Sequence, residues 1–432
     1  MSSISSAYIQ SYYSDTLNYD ADYPQLVESI EVDACIIGGG YAGLMTAIGL
    51  IDRGYTNIAL VESEKVGWGA SGRNGGFVFG GYSLGPRALV KQVGPEAAQS
   101  LYRLTTAAVD LIRRRVSQYE IDCDLVDEGV IWANWFKDQR WLIQEQRFMK
   151  EFMNTDWEYL SPQELSQRIQ SERYCGGLYE PNAMHFHPLN YAAAIAKQVK
   201  SGGGLIFENS RVVDLQTDAA EKRVVTENGS IRCKHLVIAA GGYIGNICPP
   251  VARSILPIAT YVMTTEPLGS RLQTYLKTRS AIYDTRFAFD YYRPLNDGRV
   301  LWGGRISANT SEPRDLGEEL RQDMLRVFPD FEDVKIERVW SGWMGYARHQ
   351  MAQIGQLKPG VWYGIGFGGH GVAPTTAAGE IIAAAISQQD QSYKQFKPWG
   401  LPWNGSLFGP AAAQMSYWWY QLKDWLKDIS EN

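Results

Sequence analysis

Three glycine-rich stretches hold the residues whose types and spacing could do chemistry. The first, Gly38-Gly39-Gly40-Tyr41-Ala42-Gly43, is a G-x-G-x-x-G run. It follows the apolar, β-branched residues 32–37, which predict a strand, and opens residues 44–53, which predict a helix ended by Gly54. In that setting Gly38 allows a tight turn, Gly40 lets a pyrophosphate approach the backbone, and Gly43 lets helix and strand pack closely. Tyr41 and Ala42 then place backbone N–H groups at a helix N-terminus, where the dipole favours phosphate. A second predicted strand, residues 57–61, ends at Glu62, nineteen residues after Gly43, with Ser63 beside it. A carboxylate there accepts hydrogen bonds from ribose hydroxyls.

The second stretch runs from Gly67 to Gly76 and contains Gly69, Ala70, Ser71, Arg73, Asn74, Gly75 and Gly76. So many small residues suit a second backbone cradle along an extended ligand, which separates an FAD site from an NAD site. Ser71 and Arg73 are expected to pair with phosphate or flavin oxygens. The third stretch holds Gly368, Gly369, His370, Gly371, Val372 and Ala373, with Pro374 near a predicted helix start. A helix N-terminus aimed at the flavin pyrimidine edge would stabilise the negative charge of the reduced ring. His370 either contacts the flavin, the preferred reading, or serves as a base.

On these features the chain resembles the D-amino acid oxidase superfamily of FAD-dependent oxidoreductases, and within it the gamma-glutamylputrescine oxidase branch. The resemblance runs from about residue 8 to residue 390 and includes the opening Ser11-Tyr12-Tyr13. It implies that the Val212 backbone meets the adenine, that the Ala240-Gly241 turn passes near the cofactor, and that a mixed-sheet substrate domain covers the flavin. One departure bears on substrate. Amino-acid oxidases of the superfamily carry an Arg in a Gly-Leu-Arg-Pro pattern that holds the substrate carboxylate. The matching stretch here is Gly342-Trp343-Met344-Gly345, so Met344 replaces that Arg, and His349 and Ala352 replace the usual Asp and Pro. An amine lacking a carboxylate beside the reacting carbon is therefore expected, with Arg348 as the alternative carboxylate partner.

The expected reaction is hydride transfer from the amine-bearing carbon to flavin N5. The imine would hydrolyse to an aldehyde and a free amine, and electrons would pass to molecular oxygen as peroxide. The cofactor is expected to be releasable, since no cysteine falls in a motif tied to covalent attachment. Alternation along residues 289–293 puts Phe289, Tyr291 and Arg293 on one face. With Tyr261, Trp302, Trp340 and Trp343 these predict an aromatic box for an ammonium group. Sheet packing is the competing account of each ring. The catalytic candidates are thus His370, His187, Tyr291, Arg293, Trp343 and Arg348, none of them a clear base. Two rivals remain: a dehydrogenase passing electrons to a quinone or carrier, and a flavin-binding partner that assists another protein without turnover.

Length suggests two to three domains. Because the nucleotide-type elements lie at the start, middle and end, the FAD-binding domain is expected to be discontinuous and Rossmann-type, of the glutathione reductase-like kind: residues 31–85, 186–250 and 345–388. Residues 86–185 and 251–344 are expected to form the mixed-sheet substrate domain, an α/β and α+β combination overall. Residues 1–30 read as a tail packed loosely on the surface. A net charge of −6 argues against a nucleic-acid partner. Five cysteines without C-x-x-C spacing, and five histidines, predict neither a disulfide framework nor a metal site. No apolar run reaches the length of a spanning helix and no signal peptide is visible, so a cytoplasmic protein is expected. In the tail, residues 389–432, Met415, Trp418, Trp419, Leu422, Trp425, Leu426 and Ile429 recur at helical spacing. They either cover the protein's own core, or make a subunit or shallow membrane contact.

Overall fold

The computed structural model describes residues 7–20, 22–308, 312–406 and 408–431. Strand Ser29–Ile37 is the axis of an eight-stranded sheet. Its residues 34–37 are buried on both faces, as in the continuous apolar runs of parallel sheets. It pairs in parallel with Ile58–Val61 on one side and with Ser230–Ile238 on the other. Leu205–Phe207 extends the first side and Val361–Ile365 the second, both parallel, and Gln353–Lys358 closes that edge antiparallel. The chain therefore leaves Ser29–Ile37 toward one edge and later returns to its other flank. In open α/β sheets that reversal opens a crevice beyond the strands' carboxyl ends.

Residues 205–216 form two strands, Leu205–Phe207 and Val212–Gln216. Asn209 in the left-handed region (φ 49°) breaks the run. It lies beside Glu208, whose fully buried carboxylate accepts from the Val66 N–H (2.7 Å) and from Lys65 (3.0 Å). After the break Val212–Gln216 joins Lys222–Thr226 in an antiparallel meander on the amino half of Ser230–Ile238. Helix Val372–Gln388 packs on helix Tyr41–Ile51 so closely that a Cβ on Gly379 would lie 2.4 Å from Met45 Cβ.

A second eight-stranded sheet follows the order Ile336–Ala347, Ile255–Thr265, Val300–Ser307, Tyr291–Pro294, Ala281–Asp284, Val130–Ala133, Gly177–Glu180, Glu158–Leu160. All its pairings are antiparallel except that of Ala281–Asp284 with Val130–Ala133. One face buries Trp302 stacked on Tyr292 (4.5 Å between ring centres) with Phe328, Phe331 and helix Leu316–Leu325. The alternating residues 289–293 enter the strand only at Tyr291, because Asp290 turns inward to pair with Arg286.

Of the tail expected over residues 1–30, residues 1–6 and 21 lie outside the described residues, and the described part is anchored in the interior rather than loosely packed. Ser11 caps a short helix, Tyr12–Asp15, with a reciprocal side-chain box, and this points Tyr13 into the interior. Tyr13 and Leu26 are fully buried, Tyr13 between Trp340 and His187. The tail helix also departs from one expectation. Phe408–Glu431 does form, but its seven apolar residues from Met415 to Ile429 point away from the core.

Candidate active site

A cavity of about 1880 Å³ runs from the carboxyl ends of the first sheet's central strands to the second sheet, and Trp403, Phe408 and Tyr420 wall part of it. All three glycine stretches reach it. At one end Gly38 holds φ +110°, and a Cβ there would lie 2.7 Å from Ala239 O. A Cβ on Gly40 would meet Ser71 Oγ at 3.0 Å. Ser71 Oγ in turn accepts from the Tyr41 N–H (2.9 Å), which ties the second glycine loop to the first helix. Gly43 lies off the cavity, where a Cβ would come within 2.0 Å of Gly38 O, and so serves the contact between helix and strand.

Glu62 lines the cavity beside Ser63. Its carboxylate accepts from the Gly39 N–H (2.6 Å) and the Glu64 N–H (3.0 Å). Burial raises its pKa while these N–H groups hold it down. Ala42, Val212, Ala240 and Gly241 complete this end.

In the second loop Gly69, Ala70, Asn74 and Gly75 line the cavity, whereas Gly76 lies behind it, against Phe186 O. The Asn74 amide is spent on its own loop, donating to Ala70 O and Ser71 O and accepting from the Gly76 N–H. Arg73 is buried over Trp68 (4.0 Å), donates Nε–H to Trp68 O (2.6 Å), and keeps Nη2 without a partner. Desolvation lowers its pKa. A buried cation with one free donor is the arrangement an anionic ligand satisfies. Gly368, Gly369, His370, Gly371, Val372 and Ala373 also line the cavity, where helix Val372–Gln388 starts without a side-chain cap. His370 lies edge-on to Phe79 (4.1 Å), with Nε2 3.3 Å from Phe79 O, and burial pushes its pKa down to about 4. Its neutral ring donates that Nε2–H to the carbonyl.

The remaining catalytic candidates divide. Tyr291, Trp343 and Arg348 line the cavity, as does Met344. Trp343 stacks on Tyr243 (5.2 Å, 8° between planes). His187 does not reach it, which corrects its candidacy. Its Nδ1 accepts from the Asn190 N–H (3.1 Å) as the cap of helix Pro188–Ser201, and its Nε2 lies 3.0 Å from Thr16 Oγ1. Arg293 is corrected likewise. It is a buried strut donating to Gly75 O (2.7 Å), Phe186 O (2.9 Å), His185 Nδ1 (3.1 Å) and Tyr13 OH (3.2 Å).

The aromatic box is also composed differently. Tyr261 and Trp302 belong to the second sheet's core, and Trp340 donates to Arg73 O among buried residues off the cavity. The rings that do line it, besides Phe289, Tyr291 and Trp343, include Phe79, Tyr283, Trp132 and Trp157. Phe79 stacks on Tyr283 (5.6 Å) and Tyr283 on Trp132 (5.7 Å). The alternation of Phe77 and Phe79 directly after the second glycine loop was the available signal. Trp132 offered none, because the short strand Val130–Ala133 pairs only with distant segments. Behind these rings lie two carboxyls. Glu145 lines the wall and pairs with Arg87, and Glu180 is buried with one oxygen unpartnered. Burial pushes the Glu180 pKa up to about 8, against hydrogen bonds from the Gly80 backbone and Trp157.

The comparisons with known proteins agree with this geometry. The family described as FAD dependent oxidoreductase, DAO, matches residues 33–385. The gamma-glutamylputrescine oxidoreductase of Escherichia coli is 31% identical over 420 residues, covering 96% of this chain and 98% of its own. The protein named "Probable oxidoreductase OrdL" of Haemophilus influenzae is 31% identical over 425 residues, covering 96% and 97%. Among solved structures, glycine oxidase from Geobacillus kaustophilus superposes with a TM-score of 0.72 at 19% identity, covering 86% of this chain and 98% of its own. L-proline dehydrogenase from P. horikoshii gives 0.71 at 18%, covering 87% and 98%, and both of these speak to the fold alone. A crevice at the strand reversal, lined by glycine turns and a half-satisfied buried arginine, thus accompanies a match over most of the chain: this protein belongs to the FAD-dependent oxidoreductase family and has FAD as its cofactor.

Proposed function

We propose that this enzyme oxidises the C–N bond of an amine of the polyamine or acylated polyamine type. One observation carries the reading: the cavity wall presents the stacked rings of Phe79, Tyr283 and Trp132, and two of its five guanidiniums are already neutralised by carboxylates. Arg286 is paired with Asp284 and Asp290, and Arg305 with Glu319 and Asp323. Such a wall favours a cationic chain over a carboxylate. Met344 at the cavity, where related amino-acid oxidases carry an Arg, points the same way. The name of the Escherichia coli relative is consistent with such a substrate.

In this reading Gly38, Gly40, Tyr41, Ala42, Glu62, Ser63, Ser71, Arg73, Val212 and Ala240 hold the dinucleotide, and the third glycine stretch with its helix N-terminus faces the flavin. Bound FAD supplies a hydride acceptor for the carbon bearing the amine. The chain's own part is to hold that amine uncharged in a dry, aromatic space, which lowers its pKa. The imine takes up water to give an aldehyde and the released amine, and oxygen ends as hydrogen peroxide. An anaerobic panel watching flavin absorbance tests this. Diamines and their acylated forms should bleach the flavin and α-amino acids should not. Bleaching by glycine or proline alone would sink the proposal. A second reading, electrons leaving to a quinone or carrier, draws on the apolar C-terminal helix beside the cavity. Rapid dye reduction without peroxide in air would select it.

A further inference from the structure

The C-terminal helix Phe408–Glu431 is inverted relative to an ordinary surface helix, which buries its apolar stripe. Here Gln414 and the acidic residues face the protein. Gln414 accepts from the Ala308 N–H (3.0 Å), and Asp424 from the Phe287 and Ala288 N–H groups (2.9 and 3.2 Å). Asp428 pairs with Arg173, and Glu431 accepts from the Lys137 N–H. Meanwhile Trp418 (60% exposed), Trp419 (56%), Trp425 (57%), Leu422, Leu426 and Ile429 face water. From Met415 to Ile429 this stripe is about 20 Å long at helical rise. Trp403 and Phe408, also exposed, lie at its cavity end. Scattered apolar side chains are normal on a surface, but a continuous stripe marks a contact.

The inversion also sorts charge. All three acids of the helix, Asp424, Asp428 and Glu431, are turned inward and engaged. Lys423 stays exposed, 5.3 Å from the Trp419 ring and 5.4 Å from that of Tyr420. We propose that this face lies flat on a lipid surface, with the tryptophans at headgroup level and Leu422, Leu426 and Ile429 reaching the acyl boundary. Tryptophan is the residue of that boundary, and a membrane-surface helix combines it with leucine and lysine in this manner. No described helix is long and apolar enough to cross a membrane, so contact in the plane is the geometry available to this one. A second copy of the chain fits less well. A twofold contact through the stripe would bring lysines together with no acid of the helix free to answer them, whereas anionic headgroups do answer them. Docked in this way, Phe408, which walls part of the cavity, would stand against the lipid.

The test uses the full-length holoenzyme, floated with large vesicles of phosphatidylcholine alone or of equal parts phosphatidylcholine and phosphatidylglycerol. The comparison is a Trp418→Ser, Leu422→Ser, Trp425→Ser variant, whose changed residues are exposed and lie off the cavity. The wild type should float with both vesicles, more with the anionic ones, and its tryptophan emission should shift to the blue. The variant, with unchanged flavin absorbance and lipid-free turnover, should bind at least about tenfold more weakly. Three results would overturn the proposal: a wild type that stays with the unbound protein for both vesicles, flotation indifferent to the substitutions, or a lipid-free dimer that the variant dissociates. The last would make a second copy the occupant.

Discussion

Gly40 shows how one missing side chain defines a ligand site. Its would-be Cβ and Ser71 Oγ are 3.0 Å apart, so the space between the first two glycine loops is open only as long as residue 40 lacks a side chain. Gly40→Val should therefore give folded but colourless protein, and a variant that still purifies yellow would refute this placement of the pyrophosphate. Arg73 makes the complementary case through polarity. Its unpartnered Nη2 should gain a charge-assisted hydrogen bond to the dinucleotide, worth about 2 kcal/mol. Arg73→Met should then weaken FAD binding roughly thirtyfold, with Arg73→Lys intermediate because the charge remains and the fork is lost. Calorimetric titration of apoprotein with FAD reads both. Affinity unchanged in Arg73→Met would show that this arginine only braces Trp68.

Helices and strands explain why two of the candidates lie off the cavity. Pro188–Ser201 needs an acceptor for its first N–H groups, and His187 supplies one through Nδ1. His187→Ala should cost about 1 kcal/mol of stability through loss of the cap and leave kcat unchanged. Thermal melts and steady-state turnover separate this from a catalytic role, in which kcat would collapse while the melting temperature held. Arg293, at the start of the second sheet's interior, fastens the second glycine loop by bonding Gly75 O and Phe186 O. The alternation of residues 289–293 correctly put Tyr291 and Arg293 on related positions. It could not say that Arg293, unlike Phe289 and Tyr291, turns away from the cavity, because the partners of Arg293 come from residues 13, 75, 185 and 186.

At the scale of the whole molecule, buried ionisable groups set the dependence on pH. Burial holds His370 and His349 down to about 4 and His187 to about 3, against an ordinary histidine value of 6.5. Between those values the unfolded chain binds protons that the folded one refuses, so stability should fall as pH drops from 6.5 toward 4. Glu180 acts in the opposite sense. Its folded pKa of about 8 lies above the ordinary 4.5, so the folded state keeps a proton that the unfolded chain releases. Its contribution is lost as pH rises toward 8. Below pH 6.5 the two senses oppose each other, because His185 and His235 are lowered as well and Glu62, Glu208, Asp290 and Asp424 are raised as well, Asp290 to about 7. Above pH 6.5, where the histidines are neutral in both states, Glu180 and Asp290 should make the melting temperature fall, and Glu180→Gln should flatten that limb. A melting temperature that climbs steadily from pH 6 to pH 9 would contradict this.

Much of the cofactor site was legible in the amino-acid order because its demands are local. A tight turn at Gly38, a bare helix start at Gly40 and an acid at the end of the next strand are satisfied by neighbours in the chain, and the family match spans these stretches. The strand-helix-strand register followed from short-range periodicity for the same reason. Tertiary structure alone decided what depends on distant segments. It put Trp302 into the core and Trp132 on the cavity, made His187 a cap and Arg293 a strut, and seated Tyr13 between Trp340 and His187. It also decided which side of the last helix faces water. Helical spacing separates an apolar face from a polar one, but only the partners waiting on the second sheet, Arg173 and the backbone at Phe287 and Ala288, determine which of them turns inward.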